Sequence, residues 1–290
     1  MKKTISLILA ALFGVCLIMP AAMAATIAPG EQRITMGADL SDAQRASIYE
    51  FFGVERGTIK ELTVTNSEER SYLEGLIPDE RLGRVALSCV YITVLDAGSG
   101  IKVETNNINW CTEQMYINAM ITAGIADASV KVSAPYPLSG TAALTGIYKA
   151  YEDITGEKLD ENAKAAAAEE LITTGELAEF IGSEEATRLI NELKKILNNI
   201  KSMTDDEVRA EIRRIAAQCN VSVTDSQVEQ LLTLCRTLQN LDVENLQSRL
   251  LGWLDTVDKL SSVSSWFAKI WRSVLEFLTS IFGGFFGKGK

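Results

Sequence analysis

The sequence predicts an α+β protein: a mixed sheet of α/β type in the N-terminal half, followed by an all-α helical C-terminal half. Two observations carry this reading. Between residues 33 and 155, apolar residues switch between a period of two and a helical period, as strands interleaved with helices do. After Gly156 the strand period disappears, and Thr-x-x-Glu/Gln boxes open successive helices. The expected division is 1–24 a signal peptide, 25–156 an α/β domain, 157–258 a helical domain and 259–290 a basic amphipathic tail.

The leader is read from three marks. Lys2 and Lys3 precede an uncharged apolar run from Thr4 to Met19, and Ala22-Met23-Ala24 fits the small-x-small cleavage pattern. Cleavage is expected after Ala24, with an uncleaved anchor as the alternative; Phe13-Gly14-Val15 ahead of Cys16 makes a poor lipobox. The chain is therefore expected to be exported and envelope-associated or extracellular.

Along the α/β half, "RITMGADL" reads as a strand, and Ser41-Asp42-Ala43-Gln44 as a capping box opening a helix. That helix turns Ile48, Tyr49, Phe51 and Phe52 inward and stops near Gly53. "KELTVT" is the next strand, and a short helix begins at Ser67-Glu68-Glu69 and ends before Pro78. "RVALSCVYITVLDAGSGIKVETN" carries two β-rich runs around Asp96–Gly100 and reads as a hairpin. Asn109–Ala123 is helical in period, and "ASVKVSAP" alternates as a strand that Pro135 and Pro137 are expected to end.

The helical half reads as an alanine-rich helix with a short companion over 159–181, then one longer helix from Ser183 to Ser202. Capping boxes at Thr204 and Thr224 open an αα-hairpin joined through "CNVSV". The helical pattern continues from Leu241 to Asp258.

Composition narrows the chemistry. The net charge is −10, and removing Lys2 and Lys3 makes it −12, so no nucleic acid is expected as a partner. The chain has no histidine, which excludes Ser-His and Cys-His nucleophiles and imidazole metal sites. No cofactor or metal is called for. Of the cysteines beyond the leader, Cys219 and Cys235 would stand roughly 15 Å apart on an antiparallel helix pair, too far to bridge. Cys89 and Cys111 flank the expected hairpin and could meet, though buried free thiols are the favoured reading.

The candidate contacts lie in "SAPYPLSGTAALTGIYKAYE", residues 133–152. Tyr136, between two prolines, is a candidate for stacking on a sugar or peptide. Ser139 or Thr141 is expected to cap the following helix, and Ser139, Gly140 and Thr141 could hold an anion at its N-terminus. Neither a phosphate-binding loop nor a nucleophile elbow fits, since Gly146 is followed by Ile147 and Gly-x-Ser-x-Gly is missing. The adjacent acids Glu152-Asp153 and Glu169-Glu170 read as solvated surface, because neighbours on a helix do not share a face. Asp39 reads as an acid at a helix-leading turn, and Asp205, Asp206 and Glu207 as a helix start rather than a calcium loop.

The last residues differ from the rest. From Val263 to Lys290 a wide apolar stripe carries Trp266, Phe267, Ile270, Trp271, Phe282, Phe285 and Phe286, flanked by Lys269 and Arg272. This stretch is net +3, and its longest uncharged run, Phe277–Gly287, is about half the ~20 residues a span requires. It suits an anionic membrane surface. Packing on its own domain and binding an envelope partner are the alternatives, and the pattern specifies no oligomeric state.

"MGADLSDAQ" (Met36–Gln44), "SEERSYLEG" (Ser67–Gly75), the block from Asn118 to Glu152, and "TDSQVEQLL" together resemble the YpuA-like family, exported proteins of Gram-positive bacteria whose function is not established. The resemblance implies origin and export and supplies no catalytic residue, cofactor or ligand. The expected function is a non-catalytic binding or interaction module of the envelope. A carboxylate-dependent hydrolase acting on cell-wall polymer is the alternative, and a small-molecule carrier a third reading.

Overall fold

The computed structural model describes residues 29–76 and 83–259. The leader and the tail residues from Trp266 to Phe286 lie outside them. Five strands form one sheet: β1 (Gln32–Gly37), β2 (Glu61–Val64), β3 (Cys89–Val94), β4 (Ile101–Ile108) and β5 (Ala128–Leu138), in the order β2-β1-β3-β5-β4. β1 runs parallel to β2, and β4 to β5, while β3 is antiparallel to both its neighbours. The C-terminal ends of four strands and the N-terminal end of β3 therefore share one edge of the sheet.

Helices leave from that edge. α1 (Asp42–Phe52) follows β1, α2 (Asn66–Leu73) follows β2, α3 (Glu113–Ala123) links β4 to β5, and α4 (Ala143–Thr155) follows β5. Capping boxes at Ser41 and Thr65 start the first two, and Gly53 in the left-handed region stops the first. α1 buries Ile48, Tyr49 and Phe52 on one sheet face against Ile34, Met36 and Cys89. α3 and α4 cover the other face, over Val90, Ile92, Val130 and Val132.

The hairpin expected around Asp96–Gly100 is not formed. β5 lies between β3 and β4, pairing Val90 with Val132 on one side and Val103 with Val130 on the other. β4 is the polar strand of the three, with Lys102, Glu104, Asn106 and Asn107 along it, so it suits the sheet edge, and placing β5 between β3 and β4 buries more apolar surface than pairing β3 directly with β4.

Beyond the sheet run α5 (Glu161–Ile181), α6 (Ser183–Lys195), α7 (Leu197–Ile200), α8 (Asp205–Gln218), α9 (Asp225–Leu238) and α10 (residues 243–259). The alanine-rich segment is one 21-residue helix rather than two, because Gly175 continues it. A Cβ at Gly175 would overlap the Trp110 indole, so the glycine admits a close crossing. The single helix expected from Ser183 to Ser202 is broken at Ile196, whose backbone leaves helical geometry. Boxes at Thr204 and Thr224 are both made, and α8 packs on α9 as an antiparallel pair.

α5 faces two ways. Ala167, Ala168, Leu171 and Ile172 join the sheet core, whereas Ala166 and Leu177 join the core of α6 to α9. α10 returns to the sheet: Trp253 is nearly buried, its Nε1 donating to Ile101 O at 3.4 Å. Among the described residues no helix is long and apolar enough to cross a membrane.

Candidate functional site

The prolines that were expected to end β5 instead lie within it. β3 stops at the Cys89–Ser133 pair, whereas β4 continues to Ile108–Leu138. A bulge at Asn107 (φ 57°) carries β4 onward, and its Nδ2 donates to Ala134 O at 2.9 Å. Pro135 and Pro137 thus occupy a stretch where β5 has outrun β3, and their missing N–H groups forfeit no ladder bond.

The chain leading into β3 cannot pair with those prolines. Asp39 draws it toward β1, donating its N–H to Ala86 O at 3.2 Å and accepting Ala86 N–H on Oδ2 at 2.7 Å. Arg70 Nη2 holds Gly83 O at 3.0 Å. Between this displaced segment and β5 opens a wedge of about 340 Å³. Its walls are Val85, Leu87 and Ser88 on one side, and Tyr136, Leu138 and the Ser139–Ala142 turn on the other.

All four sequence-predicted contacts, Tyr136, Ser139, Gly140 and Thr141, therefore line one cavity. Tyr136 is 48% exposed, and Thr141 is buried. Ser139 Oγ and Thr141 Oγ1 lie 3.3 Å apart. The turn is held from behind: Cys111 N donates to Ser139 O at 3.0 Å, and Tyr116 Oη to Gly140 O at 2.6 Å. Gly140 has φ +87°, and a Cβ there would collide with Tyr116 Oη and Ile108 Cγ2. Gly140→Ala is expected to cost more than about 1 kcal/mol, since strain and overlap act together; a denaturant midpoint unchanged from wild type would contradict this.

The expected cap is not made. α4 has Ala142 at its N-cap with no side-chain hydrogen bond. The two hydroxyls approach each other instead, and the chain enters the helix through short-range bonds, Ala143 N to Gly140 O and Leu144 N to Thr141 O.

Glu69, on α2 at the same edge, is a site the sequence reading missed. It is 1% exposed, and among the described residues its Oε1 has no hydrogen-bond partner; Asn66 Nδ2 lies 3.3 Å from Oε2. Burial raises its pKa to about 7, and the negative charges of Asp39 and Glu68 add to the shift. The signal was present in the sequence, since Glu69 shares a helical face with Leu73 four residues on.

Three of the four adjacent acids, Glu152, Asp153 and Glu170, are not solvated surface. Glu170 is buried between α3, α5 and α6, where Lys194 Nζ donates to its Oε1 at 2.9 Å and Thr122 Oγ1 to its Oε2 at 2.5 Å. Lys194 is wholly buried, its pKa lowered by desolvation against the opposing pull of Glu170. Glu152 accepts Lys164 Nζ at 3.0 Å and Lys158 Nζ at 2.6 Å, and Asp153 accepts Arg33 Nε at 2.6 Å. Each carboxylate has a cation from a segment the sequence does not mark as adjacent.

A larger groove of about 530 Å³ lies between α2, α5 and the end of α9, beside Ser71, Tyr72, Asn162, Glu169 and Thr237. It sits on a helix seam, away from the strand edge, and none of the sequence-predicted contacts lines it. Cys89, Cys111, Cys219 and Cys235 are all buried and free, and burial pushes the thiols of Cys89, Cys111 and Cys235 up to about 12, which suppresses thiolate chemistry. Among the described residues no cluster of three or more acids and cysteines is placed to hold a metal.

Comparison with known proteins gives family without function. A family model described as "Protein of unknown function (DUF1002)" matches residues 36–251. The "Uncharacterized protein YpuA" of Bacillus subtilis (strain 168) is 36% identical over 273 residues, covering 90% of this chain and 94% of its own length. No solved structure matches. With the matched region running from the end of β1 into α10, the chain belongs to the DUF1002 family, alongside YpuA.

Proposed function

We propose that the chain is an exported envelope protein that acts as a non-catalytic binding module, taking its ligand in the wedge and holding to the anionic membrane face through residues 263–290. The observation that carries the reading is the wedge itself. Tyr136, Ser139, Gly140 and Thr141 converge in one cavity whose frame is set by hydrogen bonds from the Cys111 backbone N–H and the Tyr116 hydroxyl. Such a frame is pre-organised, so binding would cost little ordering. The strand C-terminal edge is also where open α/β sheets take ligands.

Two experiments address the two halves. Retention of the mature protein on isolated cell walls is expected to fall with a Tyr136→Ala/Ser139→Ala double variant that keeps the wild-type denaturant midpoint; equal retention would remove the wedge from the account. Co-sedimentation with anionic liposomes is expected to require residues 263–290 and to weaken with salt. No sedimentation of either form at low salt would remove the membrane role, leaving the stripe as a packing or partner surface.

A carboxylate-dependent hydrolase is the second reading, favoured by the raised pKa of Glu69. It is the weaker one, because the Glu69 carboxyl is buried and does not line the wedge. Release of new reducing ends from wall polymer, abolished by Glu69→Gln, would reverse the order of the two.

A further inference from the structure

We infer that a small cavity at the sheet edge opposite the wedge binds a zwitterion of the α-amino-acid class, its carboxylate on Arg249 and its ammonium on Asp127. This site is separate from the wedge and does not depend on it.

The cavity, about 150 Å³, lies where β4 and β5 begin, against α10. The β3–β4 loop contributes Gly98 and Gly100, the approach to β5 contributes Asp127, and α10 contributes Arg249 and Gly252. Arg249 is anchored at the wall: its Nε donates to Ile121 O at 3.0 Å, and Ile121 also lines the cavity. Its two terminal nitrogens have no hydrogen-bond partner among the described residues, and it joins no ion pair there. Asp242 attracts it, but the Asp242 oxygens are taken by Asn245, through N at 3.2 Å and Nδ2 at 2.6 Å. Lys194, whose own charge is met by Glu170, repels it. Burial lowers the guanidinium's pKa from its ordinary value, yet it remains a cation at neutral pH. Arg249 is thus a partly desolvated cation without a hydrogen-bonded counter-ion, a costly arrangement that a bound carboxylate relieves.

Asp127 supplies the opposite charge. Its Oδ1 accepts the Gly100 N–H at 2.7 Å, which fixes the carboxylate, and Oδ2 has no partner among the described residues. Arg249 and Asp127 border one cavity and do not pair with each other. A simple anion drawn to Arg249 would meet repulsion from Asp127, and a simple cation the reverse. A ligand with a carboxylate for the guanidinium fork and an ammonium for Oδ2 satisfies both. Size sets the rest: a cavity of this volume holds about six heavy atoms, the size of a benzene ring. Glycine and alanine fall within that limit.

Gly252 marks the space as a site rather than a packing gap. Glycine inside a helix is destabilising relative to alanine. Gly146 and Gly175 are explained by close neighbours, Thr35 and Trp110, which a Cβ would strike. A Cβ at Gly252 would meet nothing within 4 Å, so no packing contact requires glycine there. Its place on the cavity wall gives the reason, since a larger side chain would take up the room a ligand needs.

The test follows amide chemical shifts of the isotope-labelled mature chain, titrated with glycine and with alanine, and separately with acetate and with methylammonium. Arg249→Met and Asp127→Asn, which keeps an acceptor for Gly100 N, are compared with wild type at matched denaturant midpoints. The expected result is saturable shifts at Gly98, Gly100 and Asp127 with either amino acid. Each single-charge probe is expected to bind at least about tenfold more weakly, and each variant to lose about tenfold in affinity. The probe comparison uses the wild-type chain alone, so it decides the matter even where a variant fails to fold. Acetate bound as tightly as glycine would overturn the zwitterion and leave a carboxylate site. No shifts at these residues with either amino acid would overturn the proposal outright.

Discussion

Glu69→Gln is expected to make the protein more stable at pH 8 by up to about 3 kcal/mol, and to change little at pH 4.5. The native carboxyl has its pKa raised from 4.5 to about 7, chiefly by burial. A raised acid pKa means that the native state holds its proton where the unfolded chain has released it. The stabilisation from the neutral form is therefore complete below the unfolded value and is lost as pH rises through about 7. A difference of roughly 2.5 units at ~1.4 kcal/mol each sets the ceiling. Glutamine matches the shape of the neutral acid and cannot ionise, so the difference between the two stability profiles isolates this one group. Parallel profiles from pH 4.5 to 8 would show that Glu69 is not buried as neutral acid. The opposite slope belongs to Glu68, Glu152 and Asp153, whose carboxyls are held low by hydrogen-bonded cations, and whose contribution is lost as pH falls.

Glu170→Ala is expected to cost about 3–5 kcal/mol. The change strands the Lys194 ammonium in a wholly buried position and removes the acceptor of Thr122 Oγ1. The seam has little polar capacity to spare, since Asn118, Thr187 and Asn191 already bury side-chain polar atoms that lack partners among the described residues. Replacing both members, Glu170→Leu with Lys194→Met, is expected to recover most of the loss, because no buried charge then remains. Denaturant midpoints of the two single variants and the double variant complete the cycle. A single-variant cost below about 1 kcal/mol would mean that the pair is hydrated rather than buried.

Both groups show where the sequence was legible and where it was not. Strand and helix periods, together with the boxes at Ser41, Thr204 and Thr224, located most elements, because caps and periodicity are local properties. The hairpin around Asp96–Gly100 failed because pairing is not local: a loop of that composition serves equally well to pass over an intervening β5. Pro135 and Pro137 were read as a stop because the rule about missing N–H groups assumes a partner strand. Only the lengths of β3 and β4 reveal that no such partner is there. Tyr136, Ser139, Gly140 and Thr141 were recognised individually, but the cavity they share depends on Asp39 pulling Ala86 away from β5, a contact across 47 residues of sequence. Glu69 and Lys194 lie on the apolar faces of α2 and α6, but periodicity alone does not say which charged residue on such a face is buried with a partner and which reaches water.

Chemical-shift mapping of the isotope-labelled mature protein, titrated with solubilised cell-wall fragments, tests the central claim most directly. If the wedge is the ligand site, the perturbed amides will cluster at Val85, Leu87, Tyr136 and the Ser139–Thr141 turn, and Tyr136→Ala will erase them. Perturbations centred instead on Ser71, Asn162 and Thr237 would place binding in the helix-seam groove and contradict the account.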